Sequence, residues 1–172
     1  MAMGEPGGAV APGLPPPDRR RFPAMGFPNY RRFWIGGMLT NNGRWVQYVT
    51  TYYIVYRITG SAAWVGMAGF FTFIPMLLTN PVAGYVSDHF DRRKVLLTTN
   101  SLCSALAAGM ALTWASGIHD VRLWMMLLLV GGFVYGVQLP TWQSFVAECV
   151  PREHLRNAIT MNSTQFNAAR TF

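Results

Sequence analysis

The chain has 172 residues, of which 51 % are apolar and 12 % charged, and a net charge of +7; this is the length of one soluble domain without the residue distribution of one, because the apolar residues fall in long blocks. Its two cysteines, Cys103 and Cys149, have neither the number nor the spacing of a disulfide scaffold or a metal site, and both are expected to stay reduced packing residues. The basic residues are grouped by connection rather than along one helical face, so the charge does not point to a nucleic acid and no such partner is expected.

From Gly4 to Pro28 the chain is rich in Pro and Gly and carries Arg19, Arg20 and Arg21. Such a stretch cannot bury enough apolar surface to fold, so residues 1–28 are expected to form a disordered cytoplasmic tail ahead of a folded part, 29–172. A cleavable secretory signal is not expected, because the first apolar run begins only after residue 32 and is too long.

Four apolar blocks follow. Residues 33–56 contain one charge, Arg44, while 62–86, 95–118 and 123–147 contain no Asp, Glu, Lys or Arg. Each reaches the roughly 20 residues that cross a ~30 Å hydrocarbon layer as a helix. The fold class expected is therefore an all-α membrane protein with about four complete transmembrane helices. Basic residues alternate with them: Arg19, Arg20, Arg21, Arg31 and Arg32 precede the first block, Arg92, Arg93 and Lys94 separate the second and third, and Arg152 and Arg156 follow the fourth. Only Arg57 and Arg122 lie in the other connections. Ten against two puts the N-terminus on the cytoplasmic side of a cell membrane.

In the first helix Asn41, Arg44, Tyr48 and Thr51 recur at three- and four-residue steps and share one face, with Gln47 beside them. A charge at the centre of a span costs about 2.5–3.5 kcal/mol on insertion scales, so this face has to look into a bundle or a watery cavity. Arg44 serves either substrate contact and gating or a structural bond to neighbouring helices. The connection to the second helix is short, with Gly60 as its turn residue, so the two helices should be antiparallel neighbours. Pro75 and Pro81 lie inside the second helix, where lipid-embedded helices tolerate them, and a bend is expected.

Between the second and third helices, Gly84-Tyr85-Val86-Ser87-Asp88-His89-Phe90-Asp91-Arg92-Arg93-Lys94 compresses both signs of charge into one turn. Gly84 would permit close packing, Asp91 would cap the third helix, and Asp88 could pair with an arginine or a helix end. Ser101, Ala105 and Gly109 in the third helix, and Gly132 and Gly136 in the fourth, have the spacing that lets helix backbones approach closely in lipid. The fourth helix also carries Tyr135, Gln138, Trp142 and Gln143, aromatic residues beside amides, which suit a mostly apolar solute with a few hydrogen-bonding groups. Trp142 could equally belong to an interfacial aromatic belt.

Pro151 ends the fourth helix, and from Leu155 a new amphipathic pattern runs on with Asn157, Asn162, Ser163, Thr164, Gln165, Asn167 and Arg170. It is read as an incomplete fifth span facing a watery cavity; a surface helix is the other reading.

The segment from residue 84 to 94 resembles the signature loop of the major facilitator superfamily of secondary transporters: Gly84, Asp88, Arg92 and Arg93 stand where that loop has its glycine, its aspartate and its paired basic residues. Asp91 departs from the usual second glycine and His89 from a common basic residue. The Asp-Arg-Arg form is similar to a branch of bacterial drug and siderophore exporters, and Asn29-Tyr30-Arg31, Gly43-Arg44-Trp45-Val46-Gln47, Ile58-Thr59-Gly60-Ser61 and Val150-Pro151-Arg152-Glu153 look like the helix ends of that branch.

The resemblance implies two six-helix halves built from inverted three-helix repeats around a midplane site. This chain would then be an N-terminal fragment that needs the remainder of the transporter. The resemblance further implies a conformational latch formed by Gly84, Asp88, Asp91, Arg92 and Arg93, with Asp88 as the anion that meets the second half and Arg92 as its organiser. The function expected is secondary active export of amphipathic small molecules by alternating access, in the manner of an antiporter, with the lipid bilayer and a small-molecule substrate as partners and no cofactor. Candidate substrate-facing residues are Asn41, Arg44, Gln47, Tyr48, Gln138, Trp142 and Gln143. No carboxylate lies deep in the four spans, so a proton-carrying residue would have to lie elsewhere. A non-transporting membrane scaffold or small regulatory subunit is the alternative. Enzymatic chemistry is not expected: there is no His cluster, no Gly-x-Ser-x-Gly and no pair of intramembrane acids.

Overall fold

The computed structural model describes residues 22–170, apart from the side chain of Asn80. Five α-helices follow one another: α1 (Pro28–Thr59), α2 (Ala62–His89), α3 (Arg92–Ala115), α4 (Val121–Glu148) and α5 (Leu155–Ala168), with 3-10 turns at Pro23–Gly26 and Arg152–His154. The described residues contain no strand.

The helices overrun the apolar blocks because a helix stops at a capping or turn residue, whereas a block stops at the first charge. Pro28 opens α1 as a first-turn proline, and Gly60 closes it in the left-handed conformation (φ 63°), its N–H donating to the Tyr56 carbonyl at 2.8 Å. α3 starts within the basic cluster because the Asp91 carboxylate accepts from the N–H groups of Arg93 (2.9 Å) and Lys94 (3.3 Å). It ends sooner than its apolar block, before Gly117 at φ 74°. Asp120 caps α4 in the same way through the Arg122 N–H, at 2.8 Å.

By length and composition, three stretches are apolar enough to cross a membrane: Ala62–Thr79 in α2, and all of α3 and α4. The sequence led us to expect four. α1, at 32 residues, is long enough, but its polar face lowers the mean. Its far side is apolar: Leu39, Val46 and Tyr53 recur every seven residues, are 73 %, 65 % and 57 % exposed, and lie across the helix from Arg44 at 100° per residue. One face of α1 is thus fit for lipid and the other for the bundle.

α4 is the central helix and packs mainly against α2 and α3. Gly132 and Gly136 make the α2 contact possible. A Cβ on Gly132 would lie 2.5 Å from the Thr72 carbonyl oxygen, and one on Gly136 would lie 2.9 Å from the Met76 Cα. The Phe71 carbonyl, which Pro75 cannot satisfy for want of an N–H, also lies against Gly132, so the proline and the glycine share one crossing. α2 runs on through Pro75 and Pro81. The small-residue row of α3 makes no such close approach among the described residues: a Cβ on Gly109 would meet nothing within 4 Å, and Ser101 and Ala105 are exposed. Small residues permit a close approach but do not select the side on which a partner lies.

Two apolar clusters close the ends of the bundle. One joins Ala24, Tyr30, Val146, Val150, Ala158 and Met161; the other joins Val55, Ala68, Met110, Trp124, Met125 and Leu128. α5 is fastened to α1 at successive turns: the Tyr30 hydroxyl donates to the Ala158 carbonyl (2.9 Å), Trp34 Nε1 to the Met161 carbonyl (3.3 Å), and Gln165 Nε2 to the Trp34 carbonyl (3.1 Å). Burial, with a smaller contribution from Cys149, pushes the Tyr30 hydroxyl up to about 12, so it stays a donor at any physiological pH.

Of the expected tail, residues 1–21 lie outside the described residues. The stretch after them is ordered well before residue 28: Pro23–Gly26 forms a 3-10 turn in which Ala24 is fully buried and donates its N–H to Asn157 Oδ1 at 3.3 Å. A compositional boundary placed at Pro28 could not register this anchor, because it is made by a helix far along the chain.

Candidate functional site

Between the two apolar clusters lies a polar layer. Arg44 stands at the midpoint of α1 and reaches across to α4, where its Nη2 donates to Gln138 Oε1 at 2.6 Å. Gln138 Nε2 in turn donates to Asn100 Oδ1 of α3 at 2.7 Å. A guanidinium has donors only, so the glutamine must present its carbonyl to Arg44, which turns its amide nitrogen toward α3. One side chain, 2 % exposed, thus ties three helices together. The Tyr135 ring lies under the guanidinium, 3.8 Å from centroid to Cζ, a cation–π contact of about 0.5–2 kcal/mol.

Two cavities open on this layer and share Thr40, Arg44 and Tyr135. The larger, about 480 Å3, is walled by Gln47 and Tyr48 of α1, by Asn100 and Cys103 of α3, and by apolar residues including Leu106, Met110 and Leu128. The smaller, about 310 Å3, is walled by Asn41, Gln138, Trp142, Gln143, Asn162 and neighbours on α5. All seven residues singled out as substrate-facing therefore border one cavity or the other. Trp142 lines the smaller cavity. Its ring lies tilted against Phe33 (centroids 4.2 Å apart), covers Gly37, and donates its Nε1 proton to Asn162 Oδ1 at 3.1 Å. α5 thereby supplies a wall of the smaller cavity.

Asn100 was missed from the sequence, although it is a lone amide inside an apolar span. Tyr135 carries no comparable signal, because nothing in its spacing tells whether its ring faces Arg44 or lipid.

At one end of the bundle the charged turn between α2 and α3 is joined to α4. Arg92 forms an ion pair with Glu148 at the end of α4, donates through Nε to the Ser87 carbonyl at 3.0 Å, and lies 3.8 Å from Asp88. Asp91 is spent on capping α3. The Asp88 side chain is 73 % exposed, and Arg93 and Lys94 are exposed as well. Gly84 is not at a close approach: a Cβ there would meet nothing within 4 Å among the described residues. Glu148 was not among the expected partners, because it is 56 residues from Arg92 in the chain.

Residues 22–172 match the family of transmembrane secretion effectors within the major facilitator superfamily. The chain belongs to that family. Among curated relatives, it is 27 % identical over 101 residues to a major-facilitator-type transporter of Bacillus subtilis, covering 58 % of this chain and 22 % of that protein. It is also 27 % identical over 101 residues to macrolide efflux protein A of Streptococcus pyogenes (56 % and 24 %), and 21 % identical over 140 residues to the staphyloferrin A transporter of Staphylococcus aureus (81 % and 35 %). The matched segment spans about a quarter to a third of the length of these relatives. No solved structure matches the chain. As a family member, the chain is a multi-pass helical membrane protein, and its long apolar helices agree with that.

Proposed function

We propose that this chain forms the first helices of a secondary active transporter that exports amphipathic small molecules across the plasma membrane by alternating access, with its N-terminus in the cytoplasm. The observation that carries the reading is the Arg44–Gln138–Asn100 layer at mid-height, bordered by two cavities and closed by apolar clusters at both ends. Binding sites of such carriers lie near the bilayer midplane, between helices that rock against one another. In this reading the open sides of the cavities are completed by helices outside this chain. The likeness to a macrolide efflux protein favours export, and the likeness to a staphyloferrin A transporter favours a small-molecule solute.

The charged turn is read as the latch. Arg92 holds the ends of α2 and α4 together and leaves the Asp88 carboxylate facing outward, where it can meet a helix of the opposite half. No Asp or Glu borders either cavity among the described residues, so in this reading no carboxylate of theirs carries a coupling proton there.

The test is efflux by the full-length protein, measured with a macrolide and with a ferric-chelator siderophore, in cells expressing wild type or Asp88→Asn at equal levels. Loss of efflux in the variant is expected. Undiminished efflux would remove the latch assignment, and no efflux of either compound by wild type would remove the exporter reading. Accessibility tags near Gly60 and Asp91 test the sidedness; Asp91 labelled from the outside would reverse it.

A further inference from the structure

Both cavities mix apolar walls with hydrogen-bonding groups, and Arg44 lies where they meet. The larger sets Leu106, Met110 and Leu128 beside Gln47, Asn100 and a few hydroxyl groups, and the smaller sets Asn41, Gln143 and other amides beside Leu139, Trp142 and Phe166. Arg44 is the only formally charged side chain that borders either cavity among the described residues. Gln138 Oε1 takes one of its five N–H donors, and the Tyr135 ring covers one face of its plane. No carboxylate pairs with it among the described residues, unlike Arg92, which has Glu148 and Asp88.

A half-buried guanidinium held in place by neutral groups alone keeps its full positive potential, and low-dielectric walls focus that potential into the adjoining space. The Gln138–Asn100 relay and the stacked ring fix its position, so little ordering entropy is lost when an anion arrives. Its planar fork suits two oxygens of one carboxylate.

We propose that the site takes small amphipathic organic anions: the anionic oxygens of the solute, above all a carboxylate, bind Arg44 at the junction, and its apolar body fills the Leu106–Met110–Leu128 side of the larger cavity. This rests on the reading of the cavities as the transporter's substrate site and narrows it, because it sets neutral and cationic solutes of the same body at a disadvantage. Asn41 and Gln143 stand on the other side of Arg44, where they can accept further polar groups of the solute.

The test uses three probes with one fluorescent body and different charge: dansylglycine (carboxylate), dansylamide (neutral) and dansylcadaverine (cation). Binding to the full-length protein in nanodiscs is read by energy transfer from its tryptophans to the dansyl group. Dansylglycine is expected to bind at least tenfold more tightly than either of the others. Arg44→Gln should abolish that preference and Arg44→Lys should keep part of it. The ordering of the three probes on wild type needs no variant, so a misfolded Arg44→Gln protein leaves the proposal open to refutation. Equal or tighter binding of the neutral or cationic probe, an unchanged preference in a folded Arg44→Gln protein, or no binding of dansylglycine would each overturn it. Passage of the probes across proteoliposomes separates this from the transport reading. Anion-selective binding without passage of any probe supports the site and sinks transport; passage that favours the cation does the reverse.

Discussion

Adding one methyl group at the α2–α4 crossing is expected to loosen the bundle measurably. In Gly132→Ala the new Cβ would fall 2.5 Å from the Thr72 carbonyl oxygen and 3.2 Å from both the Phe71 carbonyl oxygen and the Pro75 Cβ. Ordinary contacts begin at about 3.5 Å, so α2 and α4 have to separate by close to 1 Å, and two of the three obstacles are helix backbone that cannot rotate aside. Overpacking of this kind costs about 1–3 kcal/mol, against which alanine recovers about 0.5–1 kcal/mol over glycine in a helix interior. A net loss of up to about 2.5 kcal/mol, centred on about 1 kcal/mol, is expected; at about 2–4 °C per kcal/mol for a chain of this size, the central value lowers the midpoint of thermal unfolding by about 2–4 °C. Gly109→Ala is the matched control, because a Cβ there meets nothing within 4 Å, and it should melt at or slightly above wild type. The assay is thermal unfolding of the detergent-solubilised protein followed by tryptophan fluorescence. If Gly132→Ala melted together with or above Gly109→Ala, the close crossing would be wrong.

Three further outcomes follow from particular contacts. Gln138→Leu removes the acceptor of Arg44 and the donor to Asn100 at once, and should cost about 1–3 kcal/mol in the same assay; adding Asn100→Leu should recover part of the loss, and no recovery would argue against the relay. Tyr30→Phe deletes the bond to the Ala158 carbonyl, worth about 0.5–1.5 kcal/mol, so amide exchange should quicken in α5 before it does in α4; uniform quickening would contradict the fastening of α5 by α1. Burial first, and the Glu148 carboxylate second, push the Cys149 thiol up, which leaves less thiolate at a given pH. Maleimide should therefore label Cys149 slowly at neutral pH and faster as pH rises, and Glu148→Gln should speed labelling in a Cys103→Ser background; a slower variant would reverse the sign.

Much of the architecture was legible because lipid imposes a coarse rule. Long uncharged runs, interrupted by basic turns, leave few alternatives to spanning helices, and Asp91 and Gly60 announced their helix ends by local chemistry. The polar face of α1 was equally plain, since Arg44 in an apolar run demands an inward orientation. What was illegible depended on rotation about helix axes. The stripe of Ser101, Ala105 and Gly109 looks like the pair Gly132 and Gly136, yet among the described residues a Cβ on either member of the pair would meet α2 and one on Gly109 would meet nothing. Nothing in the composition before Pro28 shows that Ala24 would be buried against Asn157.

Taken alone, the amino-acid sequence determined that the chain is a bundle of membrane-crossing helices with one charged residue inside, because the cost of exposing backbone and charge to hydrocarbon leaves no other arrangement. Only the tertiary structure decided what Arg44 touches, that Asn100 and Tyr135 belong with it, and that Arg92 is tied to Glu148 at the far end of α4. Those pairings join residues 38 to 94 positions apart. They depend on which faces of α1, α3 and α4 turn toward one another, and that is settled by the packing of all the helices together.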